Sequence, residues 1–217
     1  MPKFISTHEQ LVKAVEKCKP AEWFKPGRII KVNDKMQYGE YILTARYGRD
    51  FDPEFKPELT PKQMLELGVF EGKYLNDCVL EYPREWFTRR ALRHMSPEKP
   101  NINLNYYKIK SRLSLAEWRR RGWIGFKVTI EDKEVVDQNV RGWFQWYCRY
   151  YIGYRVAGID EVQIKRWKSF RRHAGQIIKH CKSKSHKKIN GACSKQEVCR
   201  PRQRQALLQW AYDPRKL

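Results

Sequence analysis

The sequence predicts an α+β fold, predominantly helical with a few short strands, packed as a single compact domain with a possible subdomain boundary near 96–105. Three observations carry this reading. Apolar residues recur at helical spacing in several segments that begin with capping residues. Three short runs are rich in β-branched and aromatic residues, the composition of strands. The 217 residues also include eight Trp, twelve Tyr and nine Phe, enough rings to fill a core although only 41% of the chain is hydrophobic.

In chain order, Ser6 and Glu9 have capping-box spacing before Leu11, Val12 and Val15, which predicts a helix over 7–18. Arg28 to Val32 and Tyr41 to Tyr47 read as strands, and Thr60-Pro61 to Gly68 as a capped helix. Further helices are expected over 73–80 and from Pro83 to Met95. The polar stretch 96–105, with two prolines, then separates a mixed part, 1–95, from a basic, aromatic-rich helical part, 106–217. Beyond it, Ser114 caps a helix ending near Gly122, and 127–136 reads as a hairpin. Helices over 142–152, 160–181 and 201–211 complete the chain.

Charge is the strongest functional signal. Residues 1–110 hold 20 Lys+Arg against 15 Asp+Glu, whereas 111–217 hold 25 against 9. A cationic half threaded with aromatic rings suits a polyanion with stackable bases, so nucleic acid, DNA or RNA, is the expected partner. The 160–181 helix concentrates this signal: Val162, Trp167, Phe170, Ala174, Ile177 and Ile178 form an apolar stripe, leaving Lys165, Lys168, Arg171, Arg172 and Lys179 outside it. Arg149 and Arg155, beside the aromatic run from Trp143, are expected to face solvent or phosphate, and Arg200, Arg202 and Arg204 extend the basic set. Most of Trp143, Trp146, Tyr147 and Tyr150 are expected in the core, because they recur at spacings of three and four. DNA is preferred over RNA because a long basic helix can lie along a duplex and no RNP signature is present.

Two other function classes stay open. An enzyme acting on nucleic acid or a nucleobase would draw its catalytic groups from Asp77, Cys78, Glu81 and His173, with Asp77 and Glu81 on one helix face. A structural ribonucleoprotein component would use the same basic surface against RNA. No cofactor motif is present. His180, Cys181, His186, Cys193 and Cys199 are close in sequence but lack a Cys-x2-Cys knuckle, so no metal is expected and the six cysteines read as free thiols. No run approaches the ~20 apolar residues of a membrane span, and the N-terminus lacks the apolar region of a secretory signal. The expectation is no membrane partner and an intracellular location, cytoplasm or nucleus. The lysine-rich run 182–188 reads as a possible nuclear-import patch.

Four blocks, Glu58 to Cys78, Gly142 to Arg155, Asp160 to Gly175 and Cys199 to Pro214, together resemble a family of small basic intracellular proteins. The resemblance covers close to a third of the chain and implies no catalytic residues. In that family the equivalent of Gly122-Trp123-Ile124 runs almost directly into Arg141-Gly142-Trp143, so the 125–139 hairpin resembles an insertion.

Overall fold

A computed structural model describes residues 5–32, 34, 36–181 and 198–217, and it has an α+β architecture of short helices with two separate two-stranded antiparallel sheets. Helix α1 (His8–Val15) is capped by Thr7, whose side chain accepts from the Gln10 backbone while Gln10 reaches back, so the capping box lies one residue beyond the expected Ser6–Glu9 pair. Strands β1 (Ile29–Lys31) and β2 (Glu40–Ile42) pair with Ile30 opposite Tyr41 on the buried face. The second strand ends earlier than expected because the Thr44 and Ala45 N–H groups donate to the Gly153 carbonyl instead. Gly153 sits at φ +110, where a Cβ would lie 2.1 Å from the Ala45 carbonyl oxygen, so only glycine permits this approach.

Helix α2 (Pro61–Leu67) follows its sequence signals closely: Thr60 caps it, Gln63 completes the box, and Gly68 terminates it at φ +91. A Cβ on Gly68 would meet the Leu104 carbonyl oxygen at 2.0 Å. Replacing Thr60 with Ala is expected to lower stability by about 1 kcal/mol, measurable as a shifted urea midpoint at constant slope.

The expected helix over 73–80 does not form. Phe70, Glu71 and Leu75 adopt positive φ, leaving only 3₁₀ turns at Phe70–Gly72 and Val79–Glu81. All three side chains are buried, so tertiary packing overrides local helical preference here. The expected 83–95 helix is likewise a 3₁₀ turn (Arg84–Trp86) followed by α3 (Arg89–Arg93), because Thr88 acts as an N-cap, accepting from the Ala91 N–H. The 96–105 stretch is strapped to the 68–72 region: Ser96 N–H donates to the Gly72 carbonyl, Asn101 N–H to the Glu71 carbonyl, and the buried Asn105 accepts from Glu71 N–H. One hydrophobic cluster draws on both sides of it, including Leu43, Phe55, Met64 and Trp86 together with Tyr147, Ile164 and Leu208.

Ser114 caps α4 (Leu115–Arg120) as expected. Strands β3 (Lys127–Ile130) and β4 (Lys133–Val136) form a hairpin whose two-residue loop, Glu131-Asp132, has both residues at positive φ, matching the strand twist. Helix α5 (Trp143–Ile152) is the central element, with every residue except Tyr151 buried. The expected 160–181 helix is two helices, α6 (Ile159–Phe170) and α7 (Arg172–His180). At Arg171 the N–H donates to the Lys168 carbonyl, three residues back, and the helical register slips. As a result Ile177 is buried, but Ile178, expected in the apolar stripe, is 67% exposed.

Helix α8 (Pro201–Leu208) ends shorter than the expected 201–211. A Cys181–Cys199 disulfide joins the end of α7 to the approach of α8, which corrects the free-thiol reading for these two cysteines. Cys18, Cys78 and Cys148 are free and buried. His186, Cys193 and the 182–188 lysine run lie outside the described residues. Among the described residues no helix is long and apolar enough to cross a membrane.

Candidate nucleic-acid interface

Asp77, Cys78 and Glu81, the acid and thiol groups that sequence singles out, do come together, but Asp77 and Glu81 are each paired with an arginine and Cys78 is fully buried, so they form no open site. Glu81, on the Val79–Glu81 turn, is fully buried and accepts from both Nε (3.2 Å) and Nη2 (2.9 Å) of Arg149. The Tyr41 hydroxyl donates to the same carboxylate oxygen. Arg149 also donates to the Gln138 carbonyl and to the Gln37 side chain, so α5 is tied to the first hairpin and to the segment after β4. Before the start of α5, Arg141 bridges the buried Asp34 (2.5 and 2.8 Å) and Asp77 (2.8 Å), and Gln145 donates to Asp34.

The electrostatics follow from burial and charge pairing. Burial raises the Glu81 carboxyl, with Arg149 acting against it. For Asp34 burial works upward, yet the hydrogen bonds and charge of Arg141 outweigh it and hold the carboxyl below its usual value. Burial pushes the Cys78 thiol well above the ordinary range, so it stays protonated and is a poor nucleophile. Asp34, Cys78 and Glu81 place ligand atoms within 4.8 Å of one another. This donor set does not fit a metal: two guanidinium groups already neutralise the carboxylates and would repel a cation, and the thiol is not a thiolate. Asp77 and Glu81 are not paired carboxylates on one helix face either, since each is held by its own arginine.

The basic residues divide into two groups. Three expected surface cations are structural. Arg149 is 1% exposed, and Arg204, at 2%, donates to the carbonyls of Cys199, Pro214 and Leu217. Arg155 is half-buried over the Tyr150 ring and donates to carbonyls of Tyr154, Arg49 and Asp50. Their planar guanidinium groups satisfy buried carbonyls and carboxylates, a role that sequence could not distinguish from phosphate binding. Lys165, Arg171, Arg172, Lys179 and Arg202 are exposed, and among the described residues none forms an ion pair with a carboxylate. Lys168 is exposed but paired with Glu54. Arg200 is half-buried and donates to Gln203.

Beside these cations, α6, α7 and α8 meet the 110–124 segment around a cavity of about 660 Å³, within the usual range for ligand sites. Trp118 and Trp123 line it from one part of the chain, and Trp143, Phe170 and Trp210 from another. The latter belong to a column of rings: Tyr147 stacks on Trp143, Trp143 on Trp210 (4.8 Å) and Trp210 on Phe170 (4.5 Å, 9° between planes), and His173 packs against Phe170. Core aromatics therefore continue outward to the cavity wall. Lys110, Arg172 and Arg202 lie along its exposed lining. His173 is the one catalytic candidate at the cavity; burial and the neighbouring Arg172 lower its pKa, keeping the imidazole neutral. Asp77, Cys78 and Glu81 do not line it. Trp118, Trp123 and Gln163 escaped sequence reasoning, although the Trp-rich 118–123 segment with its three arginines was a visible signal.

Compared with known protein families, curated proteins and solved structures, the chain matches none.

Proposed function

We propose that this chain binds nucleic acid, with duplex DNA as the reference ligand, through the outer face of α6 and α7 and the start of α8. The observation that supports this reading is the set of five exposed cations, Lys165, Arg171, Arg172, Lys179 and Arg202, that have no carboxylate partner among the described residues. Unpaired surface cations repel one another, and phosphate contact relieves this while releasing condensed counterions. Asp77 and Glu81, the carboxylates that an enzyme would have used, are held by arginines, and burial keeps the Cys78 thiol protonated, which favours binding over catalysis by those residues.

Fluorescence anisotropy with a labelled duplex of arbitrary sequence tests the proposal. Log K is expected to fall linearly with log salt, by about 0.9 for each phosphate neutralised, and to vary little between unrelated sequences. Affinity that is the same at low and moderate salt would overturn it.

A further inference from the structure

Phosphate binding alone does not account for the cavity beside the basic face. A site that only met the backbone of a duplex would need no recess, and this one is walled by tryptophan. Three features of its lining point to a flat, polar-edged solute carrying a negative charge. The first is the supply of ring faces and edges, with Trp123 42% exposed and Trp210 and Phe170 at the outer part of the stacked column.

The second is a set of unsatisfied polar atoms. Gln163 is fully buried; Arg166 donates to its Oε1, which orients the amide and leaves Nε2 without a hydrogen-bond partner. His173 Nδ1 and Arg112 Nε are also buried and unpartnered, while Arg112 Nη2 is fixed by Glu71 (3.0 Å). All three residues line the cavity. Buried polar atoms normally find partners, and three of the ten that lack one among the described residues belong to residues of this one lining. The third feature is the cationic lining, with Arg172 and Arg202 exposed and unpaired by carboxylates among the described residues.

Resting on the nucleic-acid reading above, we infer that the cavity receives one unpaired nucleotide of a bound strand. Its base packs among the tryptophans, and its phosphate meets Arg172 and Arg202. A base inside an intact duplex cannot reach such a recess, so the nucleotide must already be unpaired or be turned out of the stack. Base–aromatic stacking is tolerant of base identity, so the preference is for an unpaired position rather than for a sequence.

The test compares two labelled duplexes, one fully paired and one carrying a single bulged 2-aminopurine, with free 2-aminopurine riboside monophosphate as a third probe. The bulged duplex is expected to bind about tenfold more tightly than the paired one, with altered 2-aminopurine emission. Trp123→Ala removes an exposed ring, and Ala206→Phe fills the cavity from α8. Both are expected to abolish the preference and leave paired-duplex affinity unchanged. If Ala206→Phe does not fold, as judged by thermal melting, the surface variant Trp123→Ala decides. Equal, salt-dependent affinity for the two duplexes would overturn the cavity proposal and leave the nucleic-acid reading standing. So would a preference that survives in the folded variants. Binding of the free nucleotide with no binding of either duplex would overturn both, as would the absence of all binding.

Discussion

Arg149→Met is expected to cost about 3–5 kcal/mol of folding stability, because it leaves the fully buried Glu81 carboxylate without its counter-charge. The Gln138 carbonyl and the Gln37 side chain lose their donor as well. The double variant with Glu81→Leu is expected to be less damaged than the single one, since replacing both members of a buried pair leaves no orphaned charge. Urea denaturation of the two variants beside the parent measures the difference. A single variant as stable as the parent would show that the network holds little of the fold, and Asp77, Cys78 and Glu81 would return as candidates for chemistry.

The second large effect concerns affinity. Changing Arg171, Arg172 and Lys179 together to Ala removes three exposed cations and leaves the core intact. Thermal stability is expected to change by less than about 1 kcal/mol, as surface substitutions usually do. Duplex affinity near 0.1 M salt is expected to fall on the order of 10²-fold, and the salt slope to drop by about one for each phosphate no longer neutralised. Parallel melting and anisotropy titrations check both halves. A triple variant that unfolds, or one that binds as tightly as the parent, contradicts the assignment of this face.

These two experiments separate arginines that look alike in the sequence. Arg149 and Arg171 are both expected at the surface from the sequence, although Arg149 is the one basic residue of 142–152 and Arg171 lies among other cations. The partner of Arg149 is Glu81, 68 positions away, and only the folded chain brings them together. Arg204 is similar: its carbonyl partners include the C-terminal Leu217, and a basic side chain that satisfies backbone acceptors leaves no mark in composition. Two polar groups around the cavity, Gln163 and Arg112, were hidden for the same reason, whereas His173 stood out in the sequence as a catalytic candidate. Gln163 and Arg112 come from segments far apart in the chain, and that each has a buried atom without a partner is a property of the fold alone.

What the sequence determined by itself is whatever depends on neighbours within one turn. Thr60-Pro61, Ser114 and the Thr7 region start helices because a hydroxyl can reach an N–H three residues on. The 127–136 hairpin and the burial of Trp143, Trp146, Tyr147 and Tyr150 follow equally from local chemistry and periodicity. The concentration of charge in 111–217 is likewise a property of the sequence alone. Tertiary structure decided the rest. It broke the expected helices at 73–80 and near Arg171, joined Cys181 to Cys199, and divided the arginines into buried struts and exposed cations. The physical reason is common to all of these outcomes: each depends on how distant residues pack together, and burial changes both which backbone conformations are tolerated and what a charge must find as its partner.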